Sequence, residues 1–188
     1  SLIPLAETKV AELKRQFVFS QNKEYQTKGL YFPKNTQITI QSTNFRSSVT
    51  EEGEVYLESV FLGGGKHDKV ALTANGETVE SLPIRGDGLN YRFSTLGKQY
   101  EVLTITPGDQ NGLLDFVIKN EKSPIKISLK GSGATSYNLS SVQKSNIVLS
   151  SKLSKAIVER DSLMSVKDKA TILLNYVSEQ KEPTKAPE

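Results

Sequence analysis

Residues 55–81, VYLESVFLGGGKHDKVALTANGETVES, hold two apolar runs on either side of Gly63-Gly64-Gly65-Lys66-His67-Asp68 and a third run after Asn75-Gly76. Successive side chains of a strand point to opposite faces, so Val55, Leu57 and Phe61 fall on one face of residues 55–62, and Tyr56, Val60 and Leu62 on the other. Apolar groups on both faces predict a central strand. Asn-Gly is the strongest short hairpin signal because both residues of the tight turn take positive φ; residues 70–73 and 78–82 are therefore predicted to pair. The stretch reads as the middle of an antiparallel meander, with GGGKHDK as a mobile loop between strands.

Working outward, residues 125–130, IKISLK, alternate cleanly, which predicts a strand with one wet face. Shorter β-prone runs occur at 17–20, 37–42, 45–49, 89–93, 100–106 and 113–119, with a strand at 31–32 that must lie at a sheet edge or end before Pro33, and short ones at 137–139 and 146–149. Glu51-Glu52-Gly53-Glu54 reads as a charged hairpin tip, and Gly86-Asp87-Gly88, Leu96-Gly97-Lys98 and residues 107–112 read as turns. Helical spacing appears only near the ends. Residues 5–16 form a short amphipathic helix with acidic residues early and basic ones late. Leu153, Ala156, Ile157 and Leu163 predict a second helix from residue 151 to 164. Ser165 with Asp168 resembles a cap for a third, over 166–180, burying Ala170, Leu173, Leu174 and Val177.

Short strands at intervals of about 8 to 14 residues predict a mainly β fold, an antiparallel meander closing into a small barrel or packing as a sandwich. One domain is expected over residues 1–180: an N-terminal helix at 5–16, a β unit at 17–149 and a C-terminal helical segment at 151–180. Residues 181–188, polar and proline-bearing, are expected to be disordered.

Composition narrows the function classes. The chain has 188 residues, 36% of them hydrophobic, enough for one core. Its 24 basic and 21 acidic residues are scattered rather than banked, which argues against nucleic acid. Cysteine is absent, so disulfides, thiolate metal sites and cysteine nucleophiles are excluded. No apolar run approaches the ~20 residues that span a bilayer. Membrane tethering, where it occurs, is expected through a lipid-bearing N-terminal Cys ahead of Ser1.

The order Phe17-Val18-Phe19, Tyr91-Arg92-Phe93, Tyr100-Glu101-Val102 and then residues 125–129 resembles small exported bacterial lipoproteins and periplasmic proteins of unknown function, over about residues 8–149. In these a Phe-x-Phe strand follows an N-terminal helix and a meander forms a lipocalin-like barrel. The resemblance implies a periplasmic or outer-membrane-associated location, and it brings no catalytic residue. The helical segment after residue 151 departs from that pattern.

Each candidate motif has a plainer reading beside it. His67 is the only histidine, so a Ser-His-Asp triad would have to use it; a solvated loop histidine is the commoner case, and Asp68 points away from it in an extended chain. Gly63-Gly64-Gly65-Lys66 is not a phosphate loop, since Val60 stands at the first glycine and His67 at the hydroxyl position. Asp109-Gln110-Asn111-Gly112 lacks the Glu that a calcium loop carries at its twelfth position, where Asn120 stands. Glu51, Glu52 and Glu54 read as a solvated tip rather than paired catalytic carboxylates. Asn138-Leu139-Ser140 matches a glycosylation acceptor only formally. Catalytic residues, metal ligands and cofactors are accordingly not assigned.

The aromatics Tyr31, Phe32, Tyr91, Phe93 and Tyr100 stand out, because aromatics inside a small barrel can line an apolar cavity, with core filling as the alternative; Tyr91, Phe93 and Tyr100 are the candidate ligand-binding residues. The expected function is that of a non-enzymatic, exported β-domain binding a small apolar or saccharide ligand or a partner protein. A structural module interacting through its C-terminal helices is the alternative. A hydrolase working without Cys stands third, with no motif behind it.

Overall fold

The computed structural model describes residues 2–21, 28–85, 88–133 and 135–181. The turn expected at Gly86-Asp87 and the tail from residue 182 lie outside them. In chain order the elements are α1 (Leu2–Lys14), β1 (Phe17–Ser20), β2 (Leu30–Pro33), β3 (Asn44–Thr50), β4 (Val55–Leu62), β5 (Lys69–Ala74), β6 (Glu77–Glu80), β7 (Asn90–Thr95), β8 (Lys98–Ile105), α2 (Pro107–Gln110), α3 (Leu113–Lys119), β9 (Lys126–Lys130), β10 (Thr135–Asn138) and α4 (Ser141–Lys181).

All pairings are antiparallel, and they form two sheets, ordered β1-β2-β3-β4-β8-β7 and β10-β9-β5-β6. The meander runs from β1 to β4, then leaves to make the β5–β6 hairpin in the second sheet, and returns as β7–β8. This departure leaves both sheets open, so the barrel alternative does not hold: there is no closed barrel among the described residues. The hairpin itself is as the sequence predicts, with Asn75 at φ 50° and Gly76 at φ 76°.

One core joins the sheets. Val55, Leu57 and Phe61 of β4, with Phe45, Val49, Leu103 and Ile105 beside them, belong to the same buried cluster as Val70, Leu72, Ile127 and Leu129 of the second sheet. β4 lies between β3 and β8, and its opposite face carries Val60, which packs with Tyr100, Val102 and Ile40 in a second, smaller cluster. The core face of β4 is buried throughout, while on the outer face Val60 is buried and Tyr56, Glu58 and Leu62 are half-buried.

Three segments differ from expectation. Residues 113–119 form helix α3, not a strand: Leu113, Phe116 and Val117 are buried at i, i+3 and i+4, the spacing of one helical face. Residues 37–42 alternate but join neither sheet. The residues expected as a strand at 146–149, and as two helices beyond, form the single 41-residue α4. Residues 141–181 contain no Gly or Pro to end a helix, and its start is fixed by a capping box. Gln143 N–H donates to Ser140 Oγ (3.1 Å), and Ser140 N–H donates to Gln143 Oε1 (2.8 Å).

Through Ile147, Leu153, Ala156 and Ile157 the first part of α4 packs into the core. Ser150 Oγ meets Ser47 Oγ of β3 at 2.8 Å, and α1 packs alongside, with Lys9 reaching Glu159 at 4.0 Å. From residue 164 to residue 180 every residue of α4 is exposed. Ala170, Leu173, Leu174 and Val177, expected to be buried, are in this projecting part.

Candidate functional site

The register of the six-stranded sheet decides which side chains face away from the core. Arg46 pairs with Glu58, Ser48 with Tyr56, Glu58 with Thr104, and Tyr91 with Val102. All of these sit on the outer face, one residue out of step with Leu57, Leu103 and Val49. On β2 the same face takes Leu30 and Phe32. A groove of about 700 Å³ lies on this face. Leu30, Phe32, Ile38, Leu89 and Tyr91 supply its apolar lining, and Ser48, Tyr56 and Thr104 offer hydroxyls.

Residues 34–43 cross this face as a strap. Arg46 Nη1 donates to the carbonyls of Gln37 (2.8 Å) and Ile38 (2.6 Å), and Tyr100 Oη donates to that of Gln41 (3.2 Å). The alternation of Ile38 and Ile40, which reads as a strand, instead serves the strap: Ile40 packs on Val60 and Val102, while Ile38 lines the groove, 40% exposed.

The charges of the groove are already satisfied. Arg46 Nε and Nη2 both lie 3.2 Å from Glu58 Oε1, with the two side chains 9% and 15% exposed, and the guanidinium stands 5.5 Å from the Phe32 ring. At the rim, Lys28 pairs with Glu54 at 3.1 Å. Burial, with Glu58 nearby, pushes the Tyr91 phenol above its ordinary pKa, so it remains a neutral donor.

The three aromatics singled out by sequence are placed on this same outer face. Tyr91 and Phe93 stack at 6.0 Å between centroids, and Phe93 and Tyr100 at 5.1 Å. Tyr91 lines the groove; Phe93 and Tyr100 border a separate depression of about 250 Å³ beside Lys66 and Arg92. The rings stack in series instead of surrounding one barrel interior. Phe32, also singled out by sequence, lines the groove, while Tyr31 packs against the main core; Leu30, Ile38, Arg46 and Glu58 were not picked out, because only the register of non-adjacent strands brings them together.

A second constellation lies on the inner face. His67 is 1% exposed rather than solvated. Its backbone N–H and Nδ1 both meet Glu101 Oε1, the latter at 2.7 Å, and its Nε2 lies 3.0 Å from Ser59 Oγ. Arg92 Nε donates to Glu101 Oε2. Burial, the largest influence, holds the His67 pKa below its ordinary value against the opposing pull of Glu101. A neutral ring then donates from Nδ1 to Glu101 and accepts the Ser59 hydroxyl proton at Nε2.

This is the connectivity of a nucleophilic triad, with Glu101 in the place where Asp68 was considered. Ser59 is 0% exposed and Glu101 1%, however, and neither Ser59 nor His67 borders the groove or the smaller depression. No substrate atom can approach the hydroxyl in this arrangement. Its effect is to lock the glycine-rich loop: Lys66 N–H donates to Ser132 O and Asp68 N–H to Lys130 O, each at 2.9 Å. Residues 66–68 are pinned from two sides, contrary to the mobile loop expected.

Gln110 of the supposed calcium loop is likewise occupied, its Nε2 donating to the carbonyls of Val55 (2.7 Å) and Ile105 (3.1 Å). Among the described residues no cluster of three or more His, Asp or Glu could hold a metal ion, and no helix is long and apolar enough to cross a membrane. Comparison of the chain with protein families, characterised proteins and solved structures found no match.

Proposed function

We propose that this protein is a binding protein whose outer-face groove takes a small, neutral and mainly apolar molecule carrying one or a few hydroxyl or carbonyl groups. The observation that carries this reading is the groove of about 700 Å³ with Leu30, Phe32, Ile38, Leu89 and Tyr91 on its walls. That size falls within the roughly 300–1,000 Å³ of small-molecule sites.

The preference for a neutral ligand follows from the pairing of charges. A charged ligand would have to displace Glu58 from Arg46, or the Gln37 and Ile38 carbonyls from it, and would leave a nearly buried group unpaired. A neutral ligand costs none of these bonds. It gains apolar burial at about 25 cal/mol per Å², and the Ser48, Tyr56 and Thr104 hydroxyls set its orientation. Export, expected from the resemblance to periplasmic lipoproteins, belongs to the same proposal; recovery from the cytoplasm of the producing cell would count against it.

Equilibrium dialysis against an alkyl glucoside and an alkyl sulfate of equal chain length tests the ligand class. The glucoside is expected to bind the more tightly, and Ile38→Asp to abolish its binding. Tighter binding of the sulfate would overturn the neutral-ligand reading.

A further inference from the structure

Where the strap meets the start of α4, a second cleft of about 310 Å³ opens. Its lining differs in kind from that of the groove. The carboxamide residues Asn35, Gln37, Asn44, Gln143 and Asn146 line it together with Thr36. Val142, 52% exposed, is the open apolar residue of the lining, since Phe45 is fully buried. Arg46 is the only charged residue among those described on the lining, and it is committed to Glu58 and to the strap carbonyls.

Part of this polar set builds the walls. Gln143 Nε2 donates to Asn44 Oδ1 (2.8 Å), tying α4 to β3. Within the strap, Gln37 Nε2 donates to Gln41 Oε1 (2.9 Å) and Gln37 Oε1 accepts from Ser42 Oγ (3.2 Å). The rest of the set is left over. Thr36 Oγ1 is buried without a partner, and the carboxamides of Asn35 and Asn146 make no hydrogen bond among the described residues. A buried polar group with no partner is costly, and native structures hold few of them. Here one belongs to a residue on the wall of a cleft.

We propose that this cleft is a binding site for a neutral polyhydroxylated molecule the size of a mono- or disaccharide. Carboxamides and sugar hydroxyls match because each both donates and accepts. The lining holds no free charge to compensate the desolvation of an ionic ligand. The volume lies at the small end of the roughly 300–1,000 Å³ of small-molecule sites. A peptide segment would need apolar pockets for its side chains, which Val142 alone does not provide. Inorganic phosphate, the anion that a helix N-terminus attracts, is disfavoured because Ser140 Oγ already takes the Gln143 N–H there. The site is independent of the groove, since a free sugar has no apolar chain to place in it.

Two-dimensional NMR of the isotope-labelled full chain, titrated with glucose, maltose and myo-inositol, tests the proposal. Saturable shifts are expected at the side-chain amides of Asn35, Asn44 and Asn146 with at least one of these polyols, while the Leu30, Ile38 and Leu89 methyls of the groove stay unmoved. Asn146→Ala is expected to weaken that binding at least ~fivefold with an unchanged thermal melt. Thr36→Val removes the unmet hydroxyl, so it is expected to weaken binding while raising the melting temperature. The absence of a saturable shift with all three polyols overturns the proposal, as do shifts confined to the groove methyls or binding that both variants leave unchanged. Tighter binding of inorganic phosphate or of N-acetyl-triglycine amide also overturns it, and would assign the cleft to an anion or to peptide backbone.

Discussion

Arg46 on β3 and Glu58 on β4 stand opposite each other in register, and their 3.2 Å contact forms the floor of the groove while the remaining guanidinium nitrogen holds the strap. Removing Arg46 alone strands a nearly buried carboxylate and releases two carbonyls. Arg46→Ala is expected to cost about 3 kcal/mol, read as a lower urea midpoint, and to make residues 34–43 sensitive to protease. Arg46→Met combined with Glu58→Leu removes both charges and should recover most of that loss. A single substitution costing less than ~0.5 kcal/mol would place the pair with ordinary surface ion pairs.

The buried His67 makes stability depend on pH in a definite direction. Its folded pKa lies below the ordinary value of 6.5, so the unfolded chain binds the proton more readily and stability rises with pH. The contribution is fully present above about pH 6.5 and is lost as pH falls toward the folded pKa. Glu101, Asp68 and Arg92 are the charged groups that act on the ring. Thermal melts between neutral and mildly acid pH should show the fall, and His67→Gln should flatten it at the cost of lower stability at neutral pH. An unchanged slope in that variant would assign the pH dependence to other groups.

Gly131 permits the loop around His67 to close on the turn after β9. A Cβ there would lie 2.2 Å from Lys66 O and 2.7 Å from His67 Cα, and both are backbone atoms that cannot swing aside. Gly131→Ala is expected to destabilise by roughly 2 kcal/mol or more, and to raise hydrogen exchange at the Lys66 and Asp68 amides. Gly108, with nothing near its missing Cβ, provides the comparison: Gly108→Ala should be close to neutral.

Tyr137 on β10 buries its hydroxyl with no hydrogen-bond partner among the described residues, and burial drives its phenol far above the ordinary value. An unmet buried donor costs about 1–3 kcal/mol. Tyr137→Phe should therefore raise the denaturation midpoint, by the equivalent of about 1 kcal/mol; a lower midpoint would mean that the hydroxyl has a partner in solution.

Where the sequence was legible, the signal was local. Asn75-Gly76 fixes its turn through two positive φ angles, and the two-faced pattern of residues 55–62 makes β4 internal, whatever the distant chain does. The misses have physical sources too. Phe116, Val117 and Ile118 are β-prone by type, but Leu113, Phe116 and Val117 are helical by spacing. Ile38 and Ile40 alternate because a strap over a sheet can use one face of an extended chain as a strand does. Ser140-x-x-Gln143 announced the start of α4 ten residues before residue 151, where the helix was expected. Nothing near His67 announces its burial, because Glu101 lies 34 residues away and Ser59 reaches it only across the loop. The groove was legible only in Phe32 and Tyr91: its other walls come from strands separated in sequence, and Arg46 and Glu58 look like ordinary surface charges until their register is known.

The central claim is tested most directly by two-dimensional methyl NMR of the labelled chain, titrated with octyl glucoside below its micelle concentration. Saturable shifts are expected at Leu30, Ile38 and Leu89, fading across the sheet and lost in Tyr91→Ala or Ile38→Asp. Shifts confined to Leu173, Leu174 and Val177 of α4, or no saturable shift at the groove, would contradict it.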